Sequence, residues 1–317
     1  MVATQSPILT LTMNPALDVA STTERVEPEH KLRCGPTKLS PGGGGVNATR
    51  TINALGGWSV GVYPLGGPTG HAYRELLEAE GIAGQVVRIG GSTRECVTIV
   101  ETSTGEEYRF VLQGPPLREP EWRACLSTVG DSLPVGGYLI ASGSLPPGVP
   151  DDFYAQVSRI CREHEVRCVV DASGPALEAA LDEGVFLIKP SLRELGELVG
   201  HEGELAPDQQ VAAAQELVTS ARSEAVALTL GGRGAVLVTA DAVVRLPAPQ
   251  ITVHSAVGAG DAFLAAMVLR LAQGVPIERA FRTALAAGSA TAMRPPAELC
   301  RAEDVVRLEA ELDAALA

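Results

Sequence analysis

The chain has 317 residues, 45% hydrophobic and 20% charged, with a formal net charge of −13. That length suits one large α/β domain or two ordinary ones, and the acidic balance excludes broad binding to nucleic acid or anionic membranes, leaving room only for a local basic pocket. No run approaches the roughly 20 apolar residues of a membrane span, and residues 1–12 lack the charged start and long apolar stretch of a signal peptide, so a cytoplasmic protein is expected.

In chain order, the apolar run ILTLT at 8–12 reads as a buried strand. Residues 18–40 follow with a polar, β-like segment (LRCGPTKL) and no helix, ending in PGGGGVN at 41–47 and a helix over 46–55. A strand at 59–65 and an amphipathic helix at 71–81 come next. Residues 92–113 again lack a helix and read as a hairpin around Ser103-Thr104-Gly105. Strands at 137–142, 166–171, 185–190 and 225–230 then alternate with helices at 151–164 and 208–221, and the last third is nearly pure helix at 260–274 and 277–293. Such alternation predicts a mainly parallel sheet with helices on both faces. The two stretches that break the rhythm predict a small separate sheet. There is no internal repeat and no low-complexity linker.

Six cysteines (Cys34, Cys96, Cys125, Cys161, Cys168, Cys300) show no C-x-x-C pair, and the five histidines form no H-x-x-x-H, so free thiols and no zinc site are expected. Neither G-x-x-x-x-G-K-[ST] nor G-x-G-x-x-G occurs, so the glycine runs serve another purpose than the common phosphate and dinucleotide loops. PGGGGVN leads from a β-like segment into a helix, where bare amides can approach a ligand; a tight turn is the plainer reading, but it needs fewer than four glycines. In SAVGAGDAF (255–263), Gly258, Ala259 and Gly260 precede a long apolar helix whose positive end suits developing negative charge. Asp261 in that first turn could simply complement the helix dipole. Beside bare amides it could also accept a hydroxyl proton while those amides hold a transferring phosphoryl group. TLGGRGAV (229–236) reads as strand, glycine turn, strand, and SGSLPPG (142–148) ends a parallel strand, where α/β proteins place ligands.

LTMNPALD (11–18), PGGGGVN, ASGSLPPG, IKPSLREL, LTLGGRG and VGAGDAF occur in the order shown by the pfkB-type, ribokinase-like sugar kinases, and the resemblance covers roughly residues 8–305. KLRCGP at 31–36 beside STRE at 92–95 is most similar to the minor-type ATP-dependent 6-phosphofructokinases, with 1-phosphofructokinases and tagatose 6-phosphate kinases also similar. The resemblance implies a single ribokinase-like domain over 1–317: a three-layer α/β/α sandwich with a mainly parallel central sheet and a β-sheet lid from about 18–40 and 92–113. It implies homodimerisation through that lid, Asp261 as general base and the Gly258–Gly260 amides as anion hole. Asp18, Gly43, Gly44, Asn47 and Ser144 match the sugar side, and Lys31 and Arg94 the substrate phosphate. Lys189, Ser191, Thr229, Gly231 and Gly234 match the nucleotide side, and Glu194 the magnesium ion, through water.

Two departures stand out. Relatives commonly show K-P-N-x-x-E, whereas Ser191 here replaces the Asn of Lys189-Pro190-Ser191-Leu192-Arg193-Glu194. Ser255-Ala256 stands where Asp-Thr is common, and MRPPAEL (293–299) where relatives that bind a monovalent cation tend to show Asn and Gly, so potassium activation is not expected. The expected reaction is transfer of the ATP γ-phosphoryl group, with magnesium, to the 1-hydroxyl of fructose 6-phosphate. Fructose 1-phosphate and tagatose 6-phosphate stay open as acceptors. A catalytically silent sugar-binding regulator is the reading from another class, and retention of Asp261 with its glycines speaks against it.

Overall fold

The computed structural model describes residues 5–201 and 203–316. The first half of the chain forms β1 (Ile8–Leu11), β2 (Ala16–Thr23), β3 (Lys38–Gly42), α1 (Gly44–Ala54), β4 (Val60–Leu65), α2 (Gly67–Ala79), β5 (Gly84–Arg88), β6 (Arg94–Glu101), β7 (Glu107–Val111), α3 (Glu119–Ser132), β8 (Tyr138–Ser142) and α4 (Phe153–Glu163). The second half forms β9 (Arg167–Asp171), α5 (Gly174–Glu183), β10 (Val185–Ile188), α6 (Leu192–Leu198), α7 (Pro207–Thr219), β11 (Ser223–Thr229), β12 (Ala235–Thr239), β13 (Val243–Leu246), α8 (Ala259–Ala272), α9 (Ile277–Ala292) and α10 (Ala302–Leu316).

Nine strands make one sheet in the order β13-β12-β11-β10-β9-β8-β1-β4-β5. Every pairing from β11 to β5 is parallel, and β12 and β13 extend the sheet antiparallel at one edge. Side chains of the central strands alternate between two cores, as a period of two requires. Leu139 and Ala141 of β8, Val170 of β9 and Val226 and Leu228 of β11 pack with α3, α4, α5, α6 and α7. Tyr138, Ile140, Val169, Ala225 and Ala227 face the other way, onto α1, α8, α9 and α10. The three-layer architecture follows from this alternation.

Helix α8 is apolar on all sides: Ala262 through Leu269 are all buried, between α1, α9 and the sheet. Packing around Ala262–Leu269 fixes the helix, and its half-buried first turn, which carries Asp261, projects from that buried body. The Phe263 and Phe281 rings meet edge to face at 5.8 Å and tie α8 to α9.

A second sheet of four strands, in the order β3-β2-β6-β7, is made from the two stretches that break the strand–helix rhythm. β2 and β6 pair in parallel, and β3 and β7 flank them antiparallel. The β6–β7 hairpin turns where expected, closed by Gly105 N–H donating to the Glu101 carbonyl at 2.8 Å. LRCGPTKL, expected to be β-like, is not: residues 31–37 are exposed and irregular, and the strand starts only at Lys38. Its neighbour β2 reaches across instead with the Ser21 hydroxyl, which donates to the Gly35 carbonyl at 2.9 Å. Helices α3, α5, α6 and α10 and strands β5 and β13 are absent from the reading of the sequence. α3 shows why, since its buried apolar residues are only Trp122, Cys125 and Val129.

Phe281→Ala should destabilise the fold by about 3–5 kcal/mol, read from urea unfolding, because it opens a cavity at the α8–α9 seam. A loss below about 1 kcal/mol would mean that the seam collapses to fill the space.

Candidate active site

The site is built around the first turn of α8. Gly258 caps it with φ +78°, a left-handed conformation that glycine adopts without strain. The first turn of any helix leaves N–H groups without intrahelical acceptors. Ala262 N–H is taken by the Gly258 carbonyl at 2.9 Å and Ala259 N–H by Ala256 at 3.3 Å. The N–H groups of Gly258, Gly260 and Asp261 have no main-chain acceptor among the described residues. The amide cluster expected from Gly258, Ala259 and Gly260 is thus formed by the two glycines and Asp261, while Ala259 turns back into the loop.

Asp261 Oδ2 accepts a 2.8 Å hydrogen bond from Asn47 Nδ2, on the first turns of α1. Burial raises the Asp261 carboxyl above the usual carboxylate range, while the Asn47 bond, Lys189 and Arg109 pull it back. The glycine run brings α1 this close. A methyl group on Gly44 would overlap the Ser142 hydroxyl and lie 3.2 Å from Asp261 Oδ1, and one on Gly42 would overlap the Asp18 carboxylate. Gly43, at φ +123°, makes the corner between β3 and α1. Asp18, on β2, is therefore roofed by bare backbone. Burial pushes its carboxyl up to about 6, against the pull of Arg109, Arg94 and Arg50.

Three strand ends supply the floor. Ser142, Asp171 and Lys189 follow one another across the C-terminal ends of β8, β9 and β10. Lys189 Nζ lies 3.2 Å from Asp171 Oδ1, and the Ser142 hydroxyl donates to Asp171 Oδ2 at 3.3 Å. Burial alone would lower the Lys189 pKa, but the carboxylates of Asp171, Asp261 and Glu194 more than offset it and leave the ammonium favoured. Burial raises Asp171 to about 6 even with Lys189 beside it. A methyl group on Gly260 would come within 3.1 Å of Lys189 Nζ, so this ammonium lies against the first turn of α8. Asp171 has no place in the sequence motifs, and only the strand order reveals it.

Beyond Lys189 opens a cavity of about 760 Å³, lined among others by Ser191, Thr229, Gly231, Gly234 and Gly260. That volume suits a nucleotide-sized ligand. Gly234 also has a packing reason: with φ +102°, a methyl group there would overlap the Leu246 carbonyl of β13. Ser191 and Glu194 form a reciprocal cap on α6, with Ser191 N–H donating to Glu194 Oε2 at 2.7 Å and Glu194 N–H to Ser191 Oγ at 3.3 Å. One carboxylate oxygen of Glu194 is thus spent on the fold. No cluster of three or more His, Cys, Asp or Glu side chains able to hold a metal ion occurs among the described residues.

On the lid side, Arg94 is anchored rather than free: Nη1 donates to the Leu112 carbonyl at 3.0 Å and Nη2 to that of Asn14 at 2.9 Å. Each of these nitrogens keeps a second N–H, and the buried Nε has no partner. Asn14 also donates to the exposed Ser144 hydroxyl at 3.1 Å, linking the SGSLPPG turn to the lid. Lys31 is exposed in the irregular stretch and makes no ion pair among the described residues, so it is not brought to the other site residues. Arg109 on β7 was not singled out in the sequence, yet its charge acts on both Asp18 and Asp261. An alternating pattern of a polar lid strand gave no reason to prefer it over its neighbours.

The Asp18 carboxyl is held near 6 in the fold against an ordinary 3.8, so its ionisation opposes folding. Its contribution to stability is fully present below about pH 4 and is lost as the pH rises through about 6. Asp18→Asn should therefore stabilise the protein by about 1–3 kcal/mol at pH 7.5 and leave it nearly unchanged at pH 4, read from urea unfolding at both pH values. An equal effect at the two pH values would contradict the raised pKa.

Residues 5–303 match the family described as pfkB family carbohydrate kinase. The ATP-dependent 6-phosphofructokinase isozyme 2 of Mycobacterium tuberculosis (strain ATCC 25618 / H37Rv) is 42% identical over 300 residues, which is 95% of this chain and 88% of that protein. Among solved structures, phosphofructokinase-2 from Escherichia coli in complex with potassium superimposes with a TM-score of 0.94 at 38% identity, over 97% of this chain and 99% of the other. The same E. coli protein in complex with fructose-6-phosphate gives a TM-score of 0.90 at the same identity and coverage. The fold is ribokinase-like, and the chain belongs to the pfkB family of carbohydrate kinases.

Proposed function

We propose that this kinase transfers the γ-phosphoryl group of ATP to the 1-hydroxyl of fructose 6-phosphate, giving fructose 1,6-bisphosphate. The observation that carries the reading is the Asp261 carboxylate, held at 2.8 Å by Asn47 between the unpaired N–H groups of α8 and the Lys189 ammonium. The names of its relatives narrow the substrate: an ATP-dependent 6-phosphofructokinase and a neighbour solved with fructose-6-phosphate.

In this reading Asp261 accepts the proton of the attacking hydroxyl as the new O–P bond forms and the bond to the leaving ADP breaks. Asn47 sets the carboxylate's direction. The N–H groups of Gly258 and Gly260, with Lys189, face the oxygens of the transferring group, where fixed donors stabilise charge that develops in the transition state. Asp18, Gly43, Gly44 and Ser144 hold the sugar hydroxyls. Arg94 meets the 6-phosphate, whereas the exposed Lys31 lies apart from it, and Ser191, Thr229, Gly231 and Gly234 line the nucleotide cavity. The oxygen of Glu194 not used in the α6 cap would help hold a magnesium ion brought in with the nucleotide, and that ion would supply charge neutralisation to the transferring phosphoryl group.

A homodimer through the lid accords with its surface. Leu39 of β3 and Phe110 of β7 share one register row of the lid through Val19 and Val97, and both are exposed, large apolar side chains on one face that a second lid would cover. A cytoplasmic location agrees with six cysteines that are all free.

With ATP and magnesium, a panel of fructose 6-phosphate, fructose 1-phosphate, tagatose 6-phosphate and free fructose should show the highest kcat/KM for fructose 6-phosphate. Asp261→Asn should lower kcat by about 10² to 10⁴ with little change in either KM. Normal turnover at saturation would remove Asp261 from the base role. Arg94→Ala should raise the KM for fructose 6-phosphate about ten- to a hundred-fold, since a charge-assisted contact is lost, and leave the KM for ATP nearly unchanged. Lysine cannot copy the forked geometry, so Arg94→Lys should recover only part. An effect confined to ATP would instead favour a free-sugar acceptor.

A further inference from the structure

Two of the contacts between lid and body belong to the support of the α8 first turn. Ser255, buried in the loop just before Gly258, donates from its hydroxyl to Glu107 Oε2 of β7 at 2.9 Å. The same hydroxyl oxygen accepts the Val257 N–H at 3.2 Å. One side chain thus ties a lid strand to the main chain one residue before the helix cap. The second point is Lys38 on β3, whose Nζ lies 2.8 Å from Glu298 Oε1. Leu299, next in the chain, packs so close to Gly258 that a methyl group there would come within 3.0 Å of its Cδ2.

We propose that Glu107 and Ser255 are positioning residues that couple closure of the lid to the geometry of the N–H groups at the start of α8. A hydroxyl that donates to one partner and accepts from another has its rotamer fixed by both. With Glu107 in place, Ser255 Oγ stands where Val257 N–H points, and residues 255–258 take one conformation. With the lid away, Ser255 loses its acceptor, and the loop preceding the cap loses a restraint. Residues alternate faces along β7, so Arg109 shares the Glu107 face and comes over the site in the same movement. Its charge acts on Asp18 and Asp261, as that placement requires. Sugar, which sits under the lid, thereby assembles the donors that act on the phosphoryl group, and transfer to water is suppressed until it is bound.

The inference rests on the kinase reading for its kinetic consequence and not for its structural one, and the experiment separates the two. Glu107→Ala, Glu107→Gln, Ser255→Ala and the double Glu107→Ala/Ser255→Ala variant are compared with the full-length protein. Hydrogen exchange at the Val257 amide, with no ligand, should speed up about ten-fold or more in Glu107→Ala and Ser255→Ala but not in Glu107→Gln, whose carboxamide oxygen still accepts the Ser255 hydroxyl. With fructose 6-phosphate and ATP, each alanine variant should lose about ten- to a hundred-fold in kcat, as displacement of a positioned group does, with the KM for ATP changed less than about three-fold. The double variant should be no worse than the poorer single one, because both remove the same bond. Unchanged Val257 exchange overturns the clasp whatever the activity, as do losses that multiply in the double variant, or a Glu107→Gln as impaired as Glu107→Ala. If wild type fails to turn over any sugar phosphate, the kinase reading falls and the exchange result alone decides the clasp.

Discussion

Everything in this molecule converges on the cost of keeping the Asp261 carboxylate out of water. A buried carboxylate is expensive unless hydrogen bonds and opposite charge compensate it. Here the compensation comes from three separate parts of the chain: Asn47 from α1, Lys189 just past β10 and Arg109 from β7. None of these is near another in sequence. The buried body of α8, Ala262–Leu269, makes the arrangement possible, because a helix held there on every side cannot slide its first turn away from its partners. A site of this kind is worth its desolvation only if a charge is later to develop beside it, which is what phosphoryl transfer does.

The parallel sheet supplies the second half of the arrangement. Ser142, Asp171, Lys189 and Thr229 sit at or just beyond the C-terminal ends of four adjacent strands, β8, β9, β10 and β11. Parallel strands all point the same way, so their ends form a row, and ligands of open α/β sheets gather there. Asp171 has a raised pKa and yet stands beside a favoured ammonium, so the pair is held together by position more than by a comfortable environment. Removing either partner would leave the other buried and uncompensated. Lys189 also lies against α8 on one flank and lines the cavity on the other.

Much of this was legible in the sequence because it is local. Period-two alternation and apolar runs gave the six central strands within a residue or two, and the polar gaps at 18–40 and 92–113 gave the second sheet. Asp261 with its glycines could be read because a helix N-terminus is a contiguous feature. Asp171 and Arg109 could not, since each looks like an ordinary strand charge until strand order and lid placement are known. Ser191 and Glu194 were read for their ligand roles, while the capping box they form also answers to the helix they start. The irregular 31–37 stretch shows the opposite limit: its residues suit a strand, but the neighbouring β2 holds it by scattered bonds, through the Ser21 and Thr23 hydroxyls and the Thr22 carbonyl, with no ladder.

The four glycines at 42–45 show how closely fold and function are bound here. Each has a protein reason to lack a side chain: Asp18 over Gly42, the left-hand corner at Gly43, Ser142 against Gly44 and the Leu11 carbonyl against Gly45. Bare backbone for a ligand and bare backbone for packing are therefore not alternatives. Bringing α1 down onto β1 and β8 places Asn47 within reach of Asp261, and the same close approach leaves the Gly43 and Gly44 main chain lining the space beside Asp18. The lid then closes a wall that no side chain of the run could have supplied. Substituting any one of these glycines would thus move the helix before it touched a substrate, which is why a run of four sits where a turn alone would have needed fewer.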